Sequence, residues 1–296
     1  MERFDITFHK GRKPAFAEVP ATHKRTLFGI EYVHLKGRQY GDFFVTARGW
    51  AVMESLLPEH WFVGKKFSKV GRALAGATGA VYRVPVPHRG RDDFALVVKF
   101  SRFCQSVGIT AVDPNLNFDE SQIDRIKSSH FLSPFEEFGN LQKLRDAAGL
   151  SIPTNAPLAI YSPPARYLDW QLGRQSFLKS IHSRRLQEGQ EETPPERRID
   201  YDWERQYVLL YRWLNGVDAE KAVDEGLIDE ATMIKLGQRA RTALAAHGWE
   251  VMDHKPRHVI IRGGRKGRMA ERAGELLWGL VDYELLYPWR PPRDHS

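Results

Sequence analysis

Three short apolar runs constrain the fold of this chain more than any other feature of its sequence. They are Phe94–Phe100, residues 156–162 and residues 207–214, and turn-forming or charged residues border each of them. Runs of this length that are rich in Val, Leu, Ile and Tyr are typical of buried β-strands. The chain is therefore predicted to fold around a sheet. Two aromatic-rich runs, 28–35 and 40–50, have the same β-like character.

Helical patterns lie between and after these runs. Residues 133–149 predict a helix that Ser133 caps, with Pro134 in the first turn, acidic residues at the start, basic residues at the end and Gly149 after it. Residues 168–189 and 229–248 predict two more. Residues 61–87 alternate apolar and polar residues around a glycine turn, which predicts two strands joined by a flexible loop. Together the elements indicate an α+β fold.

Composition excludes several classes of protein. At 296 residues, 42% hydrophobic and 27% charged, the chain has the composition of one large or two modest globular domains. Its single cysteine, Cys104, excludes an internal disulfide and a cysteine-based zinc cluster. There is no stretch of 18 uncharged apolar residues and no apolar segment near residue 1. We therefore expect no membrane span and a cytoplasmic location.

The formal charge of +7 suits polyanionic partners such as nucleotides or nucleic acid. The basic residues are densest at 180–187 and 260–272, but they are otherwise spread along the chain without interleaved aromatics. Charge runs of this kind are more often solvated faces than binding patches. A basic nucleic-acid-binding module is the least favoured of the functions considered.

Five motifs follow one another in a suggestive order: "LAGATGAVY" at 74–82, "LVVKF" at 96–100, "SPFEEFGNL" at 133–141, "DHKPRH" at 253–258 and "GLVDYELL" at 279–286. In this order they resemble the protein-kinase-like superfamily, which includes protein kinases and small-molecule kinases such as aminoglycoside and choline kinases. The resemblance covers about Val70 to Tyr287. It implies a two-lobed α+β fold with a β-rich N-lobe and a reduced helical C-lobe.

The first motif is similar to the glycine-rich loop of that superfamily. Gly76 and Gly79 match its second and third glycines and Val81 matches its valine, while Leu74 stands where the first glycine is expected. Positions without a Cβ let backbone N–H groups approach phosphate oxygens closely. An ordinary hairpin turn accounts for the same residues.

The next two motifs imply a lysine–glutamate pair. Lys99 matches the lysine that contacts the α- and β-phosphates of ATP, and the family pairs it with a glutamate on the following helix. Glu137 is favoured as that partner, with its neighbour Glu136 the alternative. A lysine that ends a strand is also a common surface residue.

The run 207–214 is similar to the hinge that binds adenine, with Tyr211 at the gatekeeper position and Trp213 in the hinge.

"DHKPRH" resembles the catalytic loop at every marked position except the last. The resemblance implies that Asp253 accepts or orients the proton of the acceptor hydroxyl and that Lys255 steadies the γ-phosphate. His258 stands where asparagine normally binds the second metal ion.

Asp282 matches the aspartate that binds the metal bridging the phosphates. Tyr283 and Glu284 then replace the usual phenylalanine and glycine.

His258 leaves the metal chemistry open, because Mg²⁺ prefers oxygen ligands and imidazole suits Mn²⁺, Zn²⁺ or iron better. The site could use one metal on Asp282, it could use Mn²⁺ with His258 as a ligand, or it could bind nucleotide without turnover. A role for His258 in bracing the loop is a fourth interpretation.

Only 14 residues follow Asp282, so the large helical subdomain of the family is not expected. We predict an N-terminal extension at 1–60, an N-lobe at 61–212 with an insertion at about 163–205, and a reduced C-lobe at 213–296. A partner chain or self-association is a candidate to cover that C-lobe.

The leading prediction is an ATP-dependent phosphotransferase that uses Mg²⁺ or Mn²⁺ and acts on a hydroxyl of an unidentified protein or small molecule. The alternative is an inactive nucleotide-binding pseudokinase or scaffold.

Overall fold

A computed structural model describes residues 13–37, 39–74, 80–88, 93–107, 126, 129–147, 149–150, 152–264 and 268–289. The described strands are β1 Lys24–Leu27, β2 Ile30–Gly37, β3 Gly41–Thr46, β4 Arg72–Ala73, β5 Val81–Pro85, β6 Ala95–Phe100, β7 Pro157–Ser162, β8 Val208–Arg212, β9 Val217–Asp218, β10 Trp249–Val251, β11 Val259–Ile261, β12 Glu271–Arg272, β13 Glu275–Leu276, β14 Trp278–Leu280 and β15 Leu286–Pro288.

The described α-helices are α1 Ala47–Ala51, α2 Met53–Leu56, α3 Pro58–Trp61, α4 Lys66–Lys69, α5 Pro134–Asp146, α6 Ser176–Glu188, α7 Ala219–Asp224 and α8 Glu230–Ala246. Short 3₁₀ turns occur at Phe16–Glu18, Ala21–His23, Val63–Lys65, Asp169–Leu172, Pro195–Arg197 and Pro256–His258.

The chain divides into two compact units. The first unit comprises Met1–Ser106, His130–Gly139 and Ala156–Trp213, and the second comprises Val107–Ser129, Asn140–Asn155 and Leu214–Ser296. Strands dominate the described part of the first unit, and the second combines helices with small sheets. The predicted α+β class is confirmed.

An eight-stranded sheet is the framework of the first unit. Its strands run in the order β1-β2-β3-β7-β8-β6-β5-β4, and every neighbouring pair is antiparallel. The three apolar runs of the sequence form β6, β7 and β8, which lie side by side in its interior. Their side chains are almost all buried, as expected for strands covered on both faces.

The N-terminal 60 residues contribute β1, β2 and β3 to this same sheet. Val33, Leu35, Phe43 and Val45 from these strands belong to one core cluster with residues of β6 to β8. The boundary at 60 that we expected between an extension and an N-lobe is therefore crossed by a continuous sheet.

The prediction of a strand directly after Trp61 is wrong, because residues 58–69 form short helical turns. Gly64 has φ +68°, and Lys65 is also left-handed at φ +58°. These two residues prevent an extended strand. The aromatic side chains of Trp61, Phe62 and Phe67 therefore pack against the core from short helical turns. Trp61 is fully buried, and its ring lies 5.5 Å from that of Tyr161. The predicted hairpin is present only in its second half, as β4 and β5.

The helix predicted at 133–149 is observed as α5, and its first turn is a capping box. The Ser133 hydroxyl accepts from the Glu136 N–H (3.3 Å), and Glu136 Oε2 accepts from the Ser133 N–H (3.1 Å). Both N-terminal donors are therefore satisfied inside the protein. This rigid start orients the residue that follows, Glu137.

The second unit holds α7, α8 and three small sheets among its described residues. One sheet has the order β14-β11-β9, and β10 pairs with β15. The basic, glycine-rich segment after β11 contains a hairpin formed by β12 and β13. Asp229 caps α8 by accepting from the Thr232 N–H (2.8 Å). No described helix is long and apolar enough to span a membrane.

Candidate functional site

A buried ion pair joins β6 to α5 in the first unit. Lys99 Nζ donates to Glu137 Oε1 at 3.0 Å, and the Tyr211 hydroxyl on β8 donates to the same oxygen at 2.6 Å. Lys99, Glu137 and Tyr211 are 5%, 2% and 2% exposed. The family resemblance predicts the first of these contacts. The second was not anticipated.

The strand register explains why Lys99 points inward. Lys99 pairs with Val81 of β5 on one side and with Leu209 of β8 on the other. Tyr211, two residues after Leu209 in β8, lies on the same face as Leu209 because side chains alternate along a strand. A lysine at such a central position cannot reach solvent easily, so it requires an acidic partner.

Glu136 occupies a different environment from Glu137. In addition to its capping role, Glu136 accepts a hydrogen bond from Arg185 Nη1 at 3.0 Å and lies 3.4 Å from His182 Nδ1. Burial by itself raises the pKa of this carboxyl, but the adjacent His182 imidazole and the Arg185 charge bring the pKa below its ordinary value. Of the two candidates, Glu137 contacts Lys99.

His182 and Arg185 on α6 are the residues that sequence reasoning missed. The backbone N–H of Cys104 donates to His182 Nε2 at 3.3 Å, so the Nδ1 atom carries the proton that faces Glu136. The S-x-x-E pattern of Ser133 and Glu136 was a readable signal for the capping box. Nothing in the sequence links it to residues nearly 50 positions later.

The remaining predicted nucleotide contacts are only partly described. Gly76 and Gly79 lie outside the described residues, whereas Val81 begins β5 beside Lys99. Trp213 follows β8, its N–H donates to the Ala95 carbonyl (3.0 Å), and the Arg83 guanidinium lies 5.2 Å from its ring centroid. Trp213 is half-buried.

The loop 253–258 is compact and buried in the second unit. Asp253, Lys255 and His258 are 3%, 6% and 7% exposed. Lys255 Nζ lies 3.7 Å from Asp253 Oδ2, which is an ion-pair distance but longer than a hydrogen bond. Pro256 opens a 3₁₀ turn in which the His258 N–H donates to the Lys255 carbonyl (2.9 Å).

The pairing of β11 with β14 brings His258 and Asp282 together. Val259 pairs with Leu280, and the Val281 N–H donates to the His258 carbonyl at 3.0 Å. His258 Nε2 then lies 3.6 Å from Asp282 Oδ2. Asp282 has φ +67°, a left-handed conformation that non-glycine residues adopt at a cost. Backbone strain of this kind is often found at functional sites.

These two side chains fit a single divalent cation. Two ligands that each lie about 2.1 Å from one ion can be at most about 4.2 Å apart, and the observed separation is shorter. Among the described residues, no group of three or more His, Cys, Asp or Glu side chains could hold a metal ion. A cation at this place would therefore depend on phosphate oxygens for the rest of its shell, as Mg²⁺ commonly does.

His254 is the remaining member of the loop, and it is 4% exposed. Burial lowers its pKa to about 3, assisted by the charges of His258 and Arg241. The imidazole is therefore neutral at physiological pH. This agrees with a packing role rather than a charged one.

Comparisons with known proteins leave the family open. No protein-family model and no curated protein matches the chain. Among solved structures, the chain is 14% identical to WbdD bound to the kinase inhibitor LY294002, covering 68% of this chain and 32% of that one with a TM-score of 0.28. It is 14% identical to the Rv3197–erythromycin complex from Mycobacterium tuberculosis, covering 81% and 52% with a TM-score of 0.34.

A third similar structure is Rad53 1-466 with AMP-PNP, at 12% identity, 86% and 52% coverage and a TM-score of 0.30. The chain thus spans about a third to a half of the length of these proteins. TM-scores this low do not establish a common fold, so any function must rest on the residues themselves.

Proposed function

We propose that this chain is an ATP-dependent phosphotransferase related to the protein-kinase-like superfamily. The observation that carries the proposal is the buried Lys99–Glu137 pair at 3.0 Å. Desolvating two opposite charges costs several kcal/mol, and apolar residues of equal size often stabilise a fold as well or better. A buried ion pair that does not clearly stabilise the fold is better explained by a functional role, and a lysine held in this way can bind phosphate oxygens.

The order of the elements supports the same function. A hairpin precedes the lysine strand β6, and the glutamate helix α5 follows it. After β7 and α6 comes β8, which contains Tyr211 and is followed by Trp213. The loop with Asp253, the strand β11 and the Asp282 turn then follow in the sequence expected of the superfamily. Within each unit, the predicted partners are neighbours.

The proposed chemistry is transfer of the γ-phosphoryl group of ATP to a hydroxyl. The acceptor oxygen forms a new bond to the γ-phosphorus, the bond from that phosphorus to the β,γ-bridging oxygen breaks, and ADP leaves. Asp253 orients the acceptor hydroxyl and takes up its proton, and Lys255 stabilises negative charge on the transferred group. Asp282 and His258 would hold a divalent cation, which neutralises phosphate charge when bound.

The test is phosphoryl transfer by the full-length chain. Purified protein is incubated with γ-labelled ATP and either Mg²⁺ or Mn²⁺, and label is followed on the chain itself and on added hydroxyl acceptors. Asp253→Asn keeps the shape of the side chain but cannot accept the proton, so transfer falls by about 10²–10⁴-fold. Asp224→Asn, an exposed change at the end of α7, is the matched control. Equal transfer by Asp253→Asn and the unaltered chain would falsify the assigned mechanism.

A nucleotide-binding pseudokinase is the second candidate, and His258 is the observation that favours it. A metal-binding imidazole usually donates its second ring nitrogen to a carbonyl or carboxylate. Within the described part of the chain, His258 Nδ1 has no such hydrogen-bond partner. This function predicts ATP binding by calorimetry that depends on Lys99, together with no transfer in either metal.

A further inference from the structure

A small cavity opens in the second unit beside the loop 253–258. Its volume is about 180 Å³, and its described wall comes from the end of α8, from β10, from the residue after β15, and from Ile126, Met252 and His254. None of the functional roles proposed above uses it. Its wall combines an apolar floor with a small number of polar groups, which is the usual composition of a small-molecule site.

Two tryptophans form the aromatic part of this wall. Trp249 belongs to β10 and pairs with Pro288 of β15, and the Trp289 N–H donates to the Gly248 carbonyl at 2.8 Å. Backbone pairing therefore fixes the main chain at both tryptophans. Trp289 remains 43% exposed, which is unusual for so large an apolar side chain.

Arg241 on α8 contributes an uncompensated positive charge. No ion pair or hydrogen bond to Arg241 occurs among the residues that the structure describes, although the acidic residue Glu250 also lines the cavity. Part of the arginine is exposed, and burial of the rest lowers the pKa of its guanidinium with no acidic group opposing that shift. A guanidinium in this position matches a planar carboxylate with two parallel hydrogen bonds.

We propose that this cavity binds a small aromatic carboxylate, with the ring against Trp249 and Trp289 and the carboxylate on Arg241. The volume suits one ring, because a cavity of about 150 Å³ lined by apolar side chains accommodates benzene. His254 and Leu244 complete the contact surface. Because His254 lies between Asp253 and Lys255, the bound ligand would touch the candidate catalytic loop from a surface of the second unit.

The test is direct titration of the full-length chain with sodium benzoate, followed by ligand-observed NMR and calorimetry without nucleotide. A ligand this small is expected to bind with a Kd on the order of 1 mM. Benzyl alcohol, which lacks the charge, and acetate, which lacks the ring, should each bind at least tenfold more weakly.

Two variants locate the site. Arg241→Gln should weaken benzoate binding at least tenfold and Trp289→Ala several-fold, whereas Lys235→Gln, an exposed change on the same helix, should leave it unchanged. Both test positions are partly exposed, so the variants are expected to fold, and circular dichroism checks this. Benzoate that binds Arg241→Gln as tightly as the unaltered chain overturns the proposal, as does benzyl alcohol that binds as tightly as benzoate.

The outcome is independent of the proposed enzyme activity. Asp253→Asn should retain benzoate binding even while it loses phosphoryl transfer. Loss of transfer with intact benzoate binding therefore concerns the mechanism alone, and failure of benzoate to bind concerns the cavity alone.

Discussion

Two buried lysines of this chain are held by their acidic partners in different ways. Lys99 in the first unit donates a 3.0 Å hydrogen bond to Glu137, and Tyr211 donates to the same oxygen. Lys255 in the second unit lies 3.7 Å from Asp253 and interacts with it by charge. The Lys99–Glu137 pair is proposed only to position phosphates and can be fully hydrogen-bonded in advance, whereas Asp253, the partner of Lys255, is proposed to take up a proton and must be able to exchange partners. The difference fits the two proposed roles.

Replacing each lysine by methionine tests this difference most strongly. Lys99→Met leaves Glu137 buried beside an apolar side chain, so the free energy of unfolding should fall by about 3–5 kcal/mol and ATP binding should be lost. Lys255→Met removes only a longer-range interaction, and its cost should be less than half as large. Urea unfolding measures both, with exposed Lys69→Met as the control. Equal losses of stability from the two changes would contradict the comparison.

Removing the Tyr211 hydroxyl measures how much it stabilises the buried Lys99–Glu137 pair. Tyr211→Phe deletes a 2.6 Å hydrogen bond to a buried carboxylate, which should cost about 1.5–3 kcal/mol. Tyr161→Phe deletes a 2.8 Å bond to the neutral Tyr40 carbonyl, so about 1 kcal/mol is expected. The two values come from the same denaturation experiment. If Tyr161→Phe proves the more costly change, the hydroxyl of Tyr211 does not hold Glu137.

In the proposed metal site, His258 would set the preference between Mg²⁺ and Mn²⁺. His258→Asn replaces a nitrogen ligand by an oxygen ligand, so transfer with Mg²⁺ should rise about tenfold relative to transfer with Mn²⁺. The ratio of initial rates in the two metals is the measurement. His247→Asn, the same change at a half-buried histidine after α8, serves as the control. An unchanged ratio would remove His258 from the metal site and leave it a structural role in the loop.

The smallest predicted effect is a pH dependence in the first unit. Burial, followed by the charges of His182 and Arg185, lowers the pKa of His130 to about 4, although Glu136 opposes this. The folded state therefore binds this proton less strongly than the unfolded state, whose ordinary pKa is 6.5. Stability is full above pH 6.5 and is lost as the pH falls toward 4.

His130 is only partly buried, so solvent screening limits the loss to on the order of 1 kcal/mol. His130→Gln should flatten this part of the stability profile, measured by urea unfolding at pH 7 and pH 5. A profile of the same slope in the variant would assign the acid sensitivity to other groups.

Much of the secondary structure could be predicted from the sequence. The apolar runs predicted β6, β7 and β8, and the cap and acidic residues around Ser133 predicted α5, because these signals are local. The stretch after Trp61 misled, since alternating aromatics also fit short turns that insert side chains into a core. Positive φ at Gly64 and Lys65 has no reliable signature in the residue pattern.

The sequence by itself determined which residue types are available for the proposed phosphoryl transfer and in what order they occur. Only the tertiary structure decided which of two adjacent glutamates meets Lys99, because successive residues of a helix point about 100° apart and the neighbouring strand selects one of them. It also joined His182 and Arg185 to Glu136, and His258 to Asp282. Contacts between distant segments depend on strand register and on how all the apolar residues pack together in the core. No short sequence pattern encodes either of these.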